Sequence, residues 1–202
     1  MSNLLWYLFA YLIGGIPFGY LIAKYFAGIN IKEHGSGNIG ATNVLRVLKE
    51  IDPKKAKKLA ALTLFLDAFK GAFVILAAKL AGVCDATQWT LAVLVVMGHC
   101  FSPFLKFQGG KGVATTAGAL IVLIPKAVLV GLIVWFIMAK TVKISSLSSL
   151  TGILVGIFSA YILYPDMSIK SYAPLWIIAF IIVYKHKDNI YRLITGQEKR
   201  VV

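Results

Sequence analysis

Acidic residues are scarce in this 202-residue sequence. Eight Asp and Glu stand against 21 Lys and Arg, which leaves a formal net charge of +13. There are three histidines and two cysteines. Cys84 falls in an expected outer turn and Cys100 in an apolar run, and neither has metal-ligand spacing, so no metal site is expected. The first apolar run lacks a basic leader and a small-residue cleavage site, so it reads as a membrane span and not as a removed signal peptide. No internal repeat and no low-complexity linker interrupts the chain, and its length is that of a single domain, 1–202.

What the sequence does have is hydrocarbon. The hydrophobic fraction is 59% and the mean hydropathy is +0.81, more than a soluble core hides, so lipid is the solvent for most of the surface. Apolar runs lie near residues 4–26, 59–81, 89–105, 113–124, 126–139, 147–164 and 172–185. The fourth and fifth are short and meet at Pro125, which leaves either two short spans or one kinked helix. Charge favours seven spans, because only an odd count places Lys32, Arg46, Lys106, Lys111, Lys140, Lys143 and the basic tail on one side. The expected fold is an all-α, polytopic membrane bundle of seven transmembrane helices. It has cytoplasmic motif loops, an interfacial helix, an outer N-terminus and an inner C-terminus. The cations sit in short loops between spans, which suits anionic headgroups and anionic substrates and argues against nucleic acid.

The inner loops are polar and rich in small residues. Residues 35–46 read Gly-Ser-Gly-Asn-Ile-Gly-Ala-Thr-Asn-Val-Leu-Arg. Gly35, Gly37 and Gly40 match a dinucleotide-binding pattern, but a membrane helix precedes them where that pattern needs a strand. A helix is expected from near Gly40, with Thr42, Asn43 and Arg46 on one face and Val44, Leu45 and Leu48 on the other. The second loop, Lys106-Phe-Gln-Gly-Gly-Lys-Gly, places Gly109, Gly110, Lys111 and Gly112 at a helix start, where free N–H groups and an ammonium would hold an anion. Ser145 and Ser146 are helix caps or phosphate donors, with nothing to separate the two readings. His186 and Asn189 lie one turn apart at the membrane surface, whereas His34 and His99 show no comparable polar company and read as structural. Asp67 and Lys70 are expected to pair at i, i+3 inside the second span, with orientation of the glycine loops as the alternative role.

Taken together, these segments, with Leu66-Asp-Ala-Phe-Lys-Gly and His186-Lys-Asp-Asn-Ile-Tyr-Arg-Leu, resemble the bacterial acyl-phosphate-dependent glycerol-3-phosphate acyltransferase family over essentially the whole chain. The resemblance implies transfer of a fatty acyl group from acyl phosphate to the sn-1 hydroxyl of glycerol 3-phosphate, giving lysophosphatidic acid at the bacterial inner membrane. It implies no cofactor, an active site facing the cytoplasm, and an upstream acyl-phosphate-forming enzyme as a partner. By motif matching, Ser36, His186 and Asn189 would be catalytic. Gly37, Asn38, Thr42, Asn43, Arg46, Lys106, Gly109, Gly110, Lys111, Gly112, Ser145 and Ser146 would bind substrate, and Glu198 would be a structural tail residue. The His-x4-Asp pair of another acyltransferase class is absent, since Ile39, Phe104 and Tyr191 stand five positions after the three histidines. A small transporter or phosphate channel is the competing reading, and it would place polar groups at the bilayer midplane.

Overall fold

The computed structural model describes residues 2–200, and every regular element among them is helical. Ten α-helices follow in order: α1 Asn3–Gly15, α2 Phe18–Ala27, α3 Ala41–Ile51, α4 Pro53–Leu80, α5 Asp85–Cys100, α6 Val113–Leu123, α7 Pro125–Thr141, α8 Ser145–Leu163, α9 Ala173–Lys185 and α10 Lys187–Ile194. Four stretches are long and apolar enough to cross a membrane: Asn3–Ala27, Pro53–Leu80, Asp85–Leu105 and Ser145–Leu163. The other three expected runs are also helical, as the shorter α6, α7 and α9. Leu8, Phe65, Phe69, Phe73, Ile133, Phe136, Phe158, Ile162 and Phe180 are all exposed, as side chains facing lipid should be.

The first run departs from a continuous span. It breaks at Ile16–Pro17, because proline carries no N–H and its ring blocks the preceding helical turn. The carbonyls freed by the break are taken up by side chains from elsewhere: Ser102 Oγ donates to Gly15 O at 2.6 Å and Lys70 Nζ to Ile16 O at 2.8 Å. Pro125 likewise ends one helix and begins another, so the fourth and fifth runs are separate helices and not one kinked rod.

α5 is the central helix. About 61% of its most apolar stretch is buried, against 33–39% for the other three long segments. Val95, Val96 and Leu91 on α5 pack with Val74 and Ile75 of α4, Ala119 of α6, and Leu175, Ile178 and Ile182 of α9. Helices in lipid gain little from excluding water, so they associate through close packing, and glycine permits it. A Cβ at Gly118 on α6 would lie 1.8 Å from the Ala68 carbonyl oxygen of α4. A second apolar cluster of Ile31, Ile39, Val44, Val47, Leu48, Ala56 and Ala60 seats α3 against the start of α4. Asp52 joins these two helices: its carboxylate caps α4 through Lys54 N and Lys55 N, each at 3.1 Å, and Pro53 follows at the first helical position.

Candidate active site

All three glycine- and asparagine-rich motifs meet at one cavity of about 800 Å³. Its mouth is polar and is lined by Ser36, Asn38, Thr42, Asn43, Arg46, Lys111, Gly112, Ser145, Ser146, His186 and Asn189. Its inner arm is apolar, running between α4, α6, α7, α8 and α9 past Ala117, Leu120, Ile121, Gly152 and Ile153 to Ile124, Val128, Leu175 and Ile178. Four residues expected at the site do not line this cavity: Gly37, Lys106, Gly109 and Gly110. Lys106 is exposed and sits in the left-handed region at φ 52, while Gly37 turns the first loop at φ 68.

The first motif is organised from within by Asn43. Although it shares a helical face with Thr42 and Arg46, its side chain is only 2% exposed. Oδ1 accepts from Ser36 N at 2.8 Å, and Nδ2 donates toward Asn38 O at 2.8 Å, His34 O at 3.1 Å and Ile31 O at 3.4 Å. One amide thus ties down four points of the 31–38 loop, while the Ser36 hydroxyl and the Arg46 guanidinium have no hydrogen bond among the described residues. Thr42 Oγ1 meets Ser145 Oγ at 3.0 Å and joins α3 to α8.

The second motif is arranged differently from expectation. The N–H groups of Gly109 and Gly110 are not free: they donate to Cys100 O at 3.2 Å and His99 O at 2.9 Å. The open donors lie one step further on. Gly112 caps α6 in the left-handed conformation at φ 84, and the first bond of that helix runs from Thr116 N to Gly112 O. The N–H groups of its first turn therefore have no partner within the helix. α8 begins in the same way at Ser145, where no side chain caps the helix, so the capping reading of Ser145 and Ser146 does not hold. Two positive helix ends thus converge on the mouth that Arg46, Lys111 and Arg192 also line.

The third motif carries the densest polar network. Glu198 folds back from the tail and accepts from Ser146 Oγ at 2.7 Å, Asn189 Nδ2 at 2.5 Å and Arg192 Nε at 2.7 Å. Burial opposes its charge, but those hydrogen bonds outweigh burial and hold the carboxyl below its usual range. Asn189 Oδ1 in turn accepts from the Lys111 ammonium. Burial pushes Lys111 down to about 8, with Arg192 and Arg46 adding to the shift and Glu198 opposing it. His186 is 2% exposed, and burial, with the Lys111 charge second, brings it down to about 4, so it is neutral at pH 7. Its Nδ1 lies 2.8 Å from the Ile182 carbonyl oxygen, which can only accept. Nδ1 therefore carries the proton and Nε2 presents a lone pair.

Residues outside the expected set also line the cavity. Arg192 lies one turn past Asn189, and the i, i+3, i+6 spacing of His186, Asn189 and Arg192 was the signal for it. Thr116, Asp67 and His99 line the wall as well, and the Thr116 hydroxyl is buried without a partner. His99 does have polar company, since Asp67 Oδ1 lies 3.5 Å from its Nδ1 and Lys70 pairs with the same carboxylate at 2.8 Å.

A cationic mouth opening onto an apolar arm, within a helix bundle whose outer face is apolar, suits an anionic group and a hydrocarbon chain in one cavity. A sequence profile described as glycerol-3-phosphate acyltransferase matches residues 4–196, and this chain belongs to that family. It is 58% identical to the glycerol-3-phosphate acyltransferase of Wolinella succinogenes, covering 99% of this chain and 97% of that protein. It is 57% identical to the one from Campylobacter lari across the full length of both. The fold is similar to the crystal structure of PlsY (YgiH), an integral membrane glycerol 3-phosphate acyltransferase, in its glycerol 3-phosphate form. The TM-score is 0.88 at 34% identity, over 99% of this chain and 96% of that one. The lysophosphatidic acid form of PlsY gives 0.85 at 35% identity, over 99% and 95%.

Proposed function

We propose that this glycerol-3-phosphate acyltransferase takes its acyl group from acyl phosphate and places it on the sn-1 hydroxyl, releasing lysophosphatidic acid and inorganic phosphate. The observation that carries this reading is the single cavity in which a cationic mouth continues into an apolar arm. The mouth supplies Arg46, Lys111, Arg192 and two helix N-termini, enough positive potential for a phosphate on the acceptor and a second on the donor. The arm follows α6 from Gly112 to Ile124, a rise of about 18 Å. That is somewhat more than half of the roughly 30 Å hydrocarbon core, the reach of a long fatty chain in one leaflet.

The chemistry is direct. The sn-1 oxygen attacks the acyl carbonyl carbon, the C–O bond to phosphate breaks, and the hydroxyl proton departs with the phosphate. An acyl phosphate is already an activated anhydride, so a covalent relay through Ser36 would add nothing, and among the described residues no base hydrogen-bonds to the Ser36 hydroxyl. His186 Nε2 can accept a hydrogen bond from the attacking hydroxyl and aim it. With its pKa near 4 it is a weaker proton acceptor than a phosphate oxygen, whose second pKa is about 6. Ser36, Asn189 and the helix ends stabilise the developing oxyanion and the leaving phosphate. Because transfer is direct, with no acyl-enzyme, steady-state kinetics should be sequential.

The basic loops support a cavity on the cytoplasmic side of the inner membrane, in a chain of seven spans with an outer N-terminus. An acyl-phosphate-forming enzyme must supply the donor. The deciding experiment gives purified protein a long-chain acyl phosphate and glycerol 3-phosphate, with no coenzyme A and no carrier protein. Stoichiometric lysophosphatidic acid and phosphate are expected. Turnover with acyl thioesters and none with acyl phosphate overturns the donor assignment. Exposed Cys84 serves as an internal reporter of sidedness: an impermeant thiol reagent added outside should label it and spare a Gly196→Cys variant in which Cys84 is replaced by serine.

A further inference from the structure

We propose that His99, packed beside the Asp67–Lys70 pair, is the positioning residue for the second glycine motif and, through it, for the Lys111 ammonium. Asp67 and Lys70 stand one turn apart on α4 and pair at 2.8 Å, and His99 on α5 brings its Nδ1 to 3.5 Å from the same carboxylate oxygen. All three are 2–4% exposed within the membrane-spanning part of the bundle. A buried charge pair gains little stability over an apolar replacement, so its use lies in fixing one arrangement. The remaining surroundings of Lys70 are the Ile16 carbonyl at 2.8 Å and the Phe18 ring at 5.5 Å, which ties the pair to the α1–α2 break.

His99 grips Gly110 from two sides. Its carbonyl accepts the Gly110 N–H at 2.9 Å. Its imidazole edge fills the space a side chain would need, since a Cβ at Gly110 would come within 2.2 Å of Nε2. The next residue is Lys111, whose ammonium reaches Asn189 in the mouth. Asp67 Oδ1 is the polar group facing Nδ1, at 3.5 Å, and Nδ1 has no other hydrogen-bond partner among the described residues, so the α4 charge pair reaches the loop through this one imidazole. The inference rests on Lys111 belonging to the phosphate subsite.

His99→Asn tests it, because the shorter amide keeps a polar partner for Asp67 and vacates the space beneath Gly110. In purified protein the KM for glycerol 3-phosphate should rise about tenfold while the donor KM stays within about twofold, since a displacement near 1 Å matters only to the group displaced. Gly110→Ala is severely impaired alone and should recover activity in the His99→Asn background, where its methyl enters the vacated space, giving a strongly non-additive double-mutant cycle. Amide exchange at Gly109–Val113 should quicken about tenfold in His99→Asn, which reads the grip with no substrate present. Unchanged exchange, additive effects of the two substitutions, or an equal rise in both KM values overturns the proposal. If Lys111→Ala leaves the acceptor KM unchanged, the phosphate assignment falls, and exchange and coupling still decide whether His99 holds the loop. Should His99→Asn not fold, the charge-free pair Asp67→Leu with Lys70→Met releases the ring, and exchange in the loop must then quicken or the proposal fails.

Discussion

The first and second motif loops are both short, both rich in glycine and both at the mouth of one cavity, yet they are held by opposite means. In the first, a single side chain, Asn43, bonds to Ser36 N and to three backbone carbonyls. In the second, no side chain bonds to the glycines: Gly109 and Gly110 donate their own N–H groups to carbonyls at the end of α5, with the His99 imidazole packed against Gly110. A loop held by one amide keeps its serine and arginine free for substrate but depends on one residue. A loop held by backbone contact spreads the restraint and depends on having no Cβ.

The largest expected effect attacks the second arrangement. A Cβ at Gly109 would lie 2.1 Å from the His99 carbonyl oxygen, backbone that cannot swing aside, so Gly109→Ala should yield little folded protein, as read by monodispersity in detergent. Next comes the first loop. Asn43→Ala strands the Ser36 N–H and several carbonyls, each costing about 1–3 kcal/mol. Purified Asn43→Ala should melt lower and lose about 100-fold in activity, while Asn43→Asp, which keeps the acceptor for Ser36 N, should lose less. Equal losses in the two variants would show that the donors alone matter.

A smaller effect concerns Lys111, which ties the second loop to the third motif. Its pKa near 8 means that the free enzyme sheds this charge above pH 8. The acceptor KM should therefore climb through pH 8–9 as an anion partner is lost. Lys111→Arg stays charged and should give a flat profile, from a higher starting value. Stability runs the other way: between pH 8 and the ordinary 10.5 the unfolded chain holds more protons, so the folded state gains as pH rises. A flat acceptor profile in the unmodified protein would remove Lys111 from the phosphate subsite. The smallest effect is expected at Lys106, exposed and outside the cavity, where Lys106→Ala should change activity by less than about threefold.

Much of this was legible in the chain. The seven apolar runs became helices, the charge pattern grouped the polar loops, and the motif residues met in space because α4, α5, α6 and α8 all begin or end at that level. The contacts that cross the fold were not legible. Glu198 looks like an isolated tail residue, and only folding brings it to Ser146, Asn189 and Arg192. His99 sits in an apolar run with no polar neighbour in sequence, and its partners are on another helix. Asn43 follows the helical period onto the polar face, but its short side chain turns inward because unpaired loop carbonyls wait there. Periodicity tells which face a residue occupies; it carries no information on which backbone groups lack partners.

The brevity of α9 shapes the surrounding lipid. Its 13 residues rise about 20 Å, against a hydrocarbon layer of about 30 Å. Trp176, Phe180 and Tyr184 are exposed along it, so this flank meets lipid directly. Adjacent acyl tails must compress or tilt, drawing the headgroup plane down toward His186, where α9 ends. A bilayer fitted to α9 would slope toward the cavity mouth on this side, which would shorten the vertical step between that mouth and the depth at which neighbouring lipids rest.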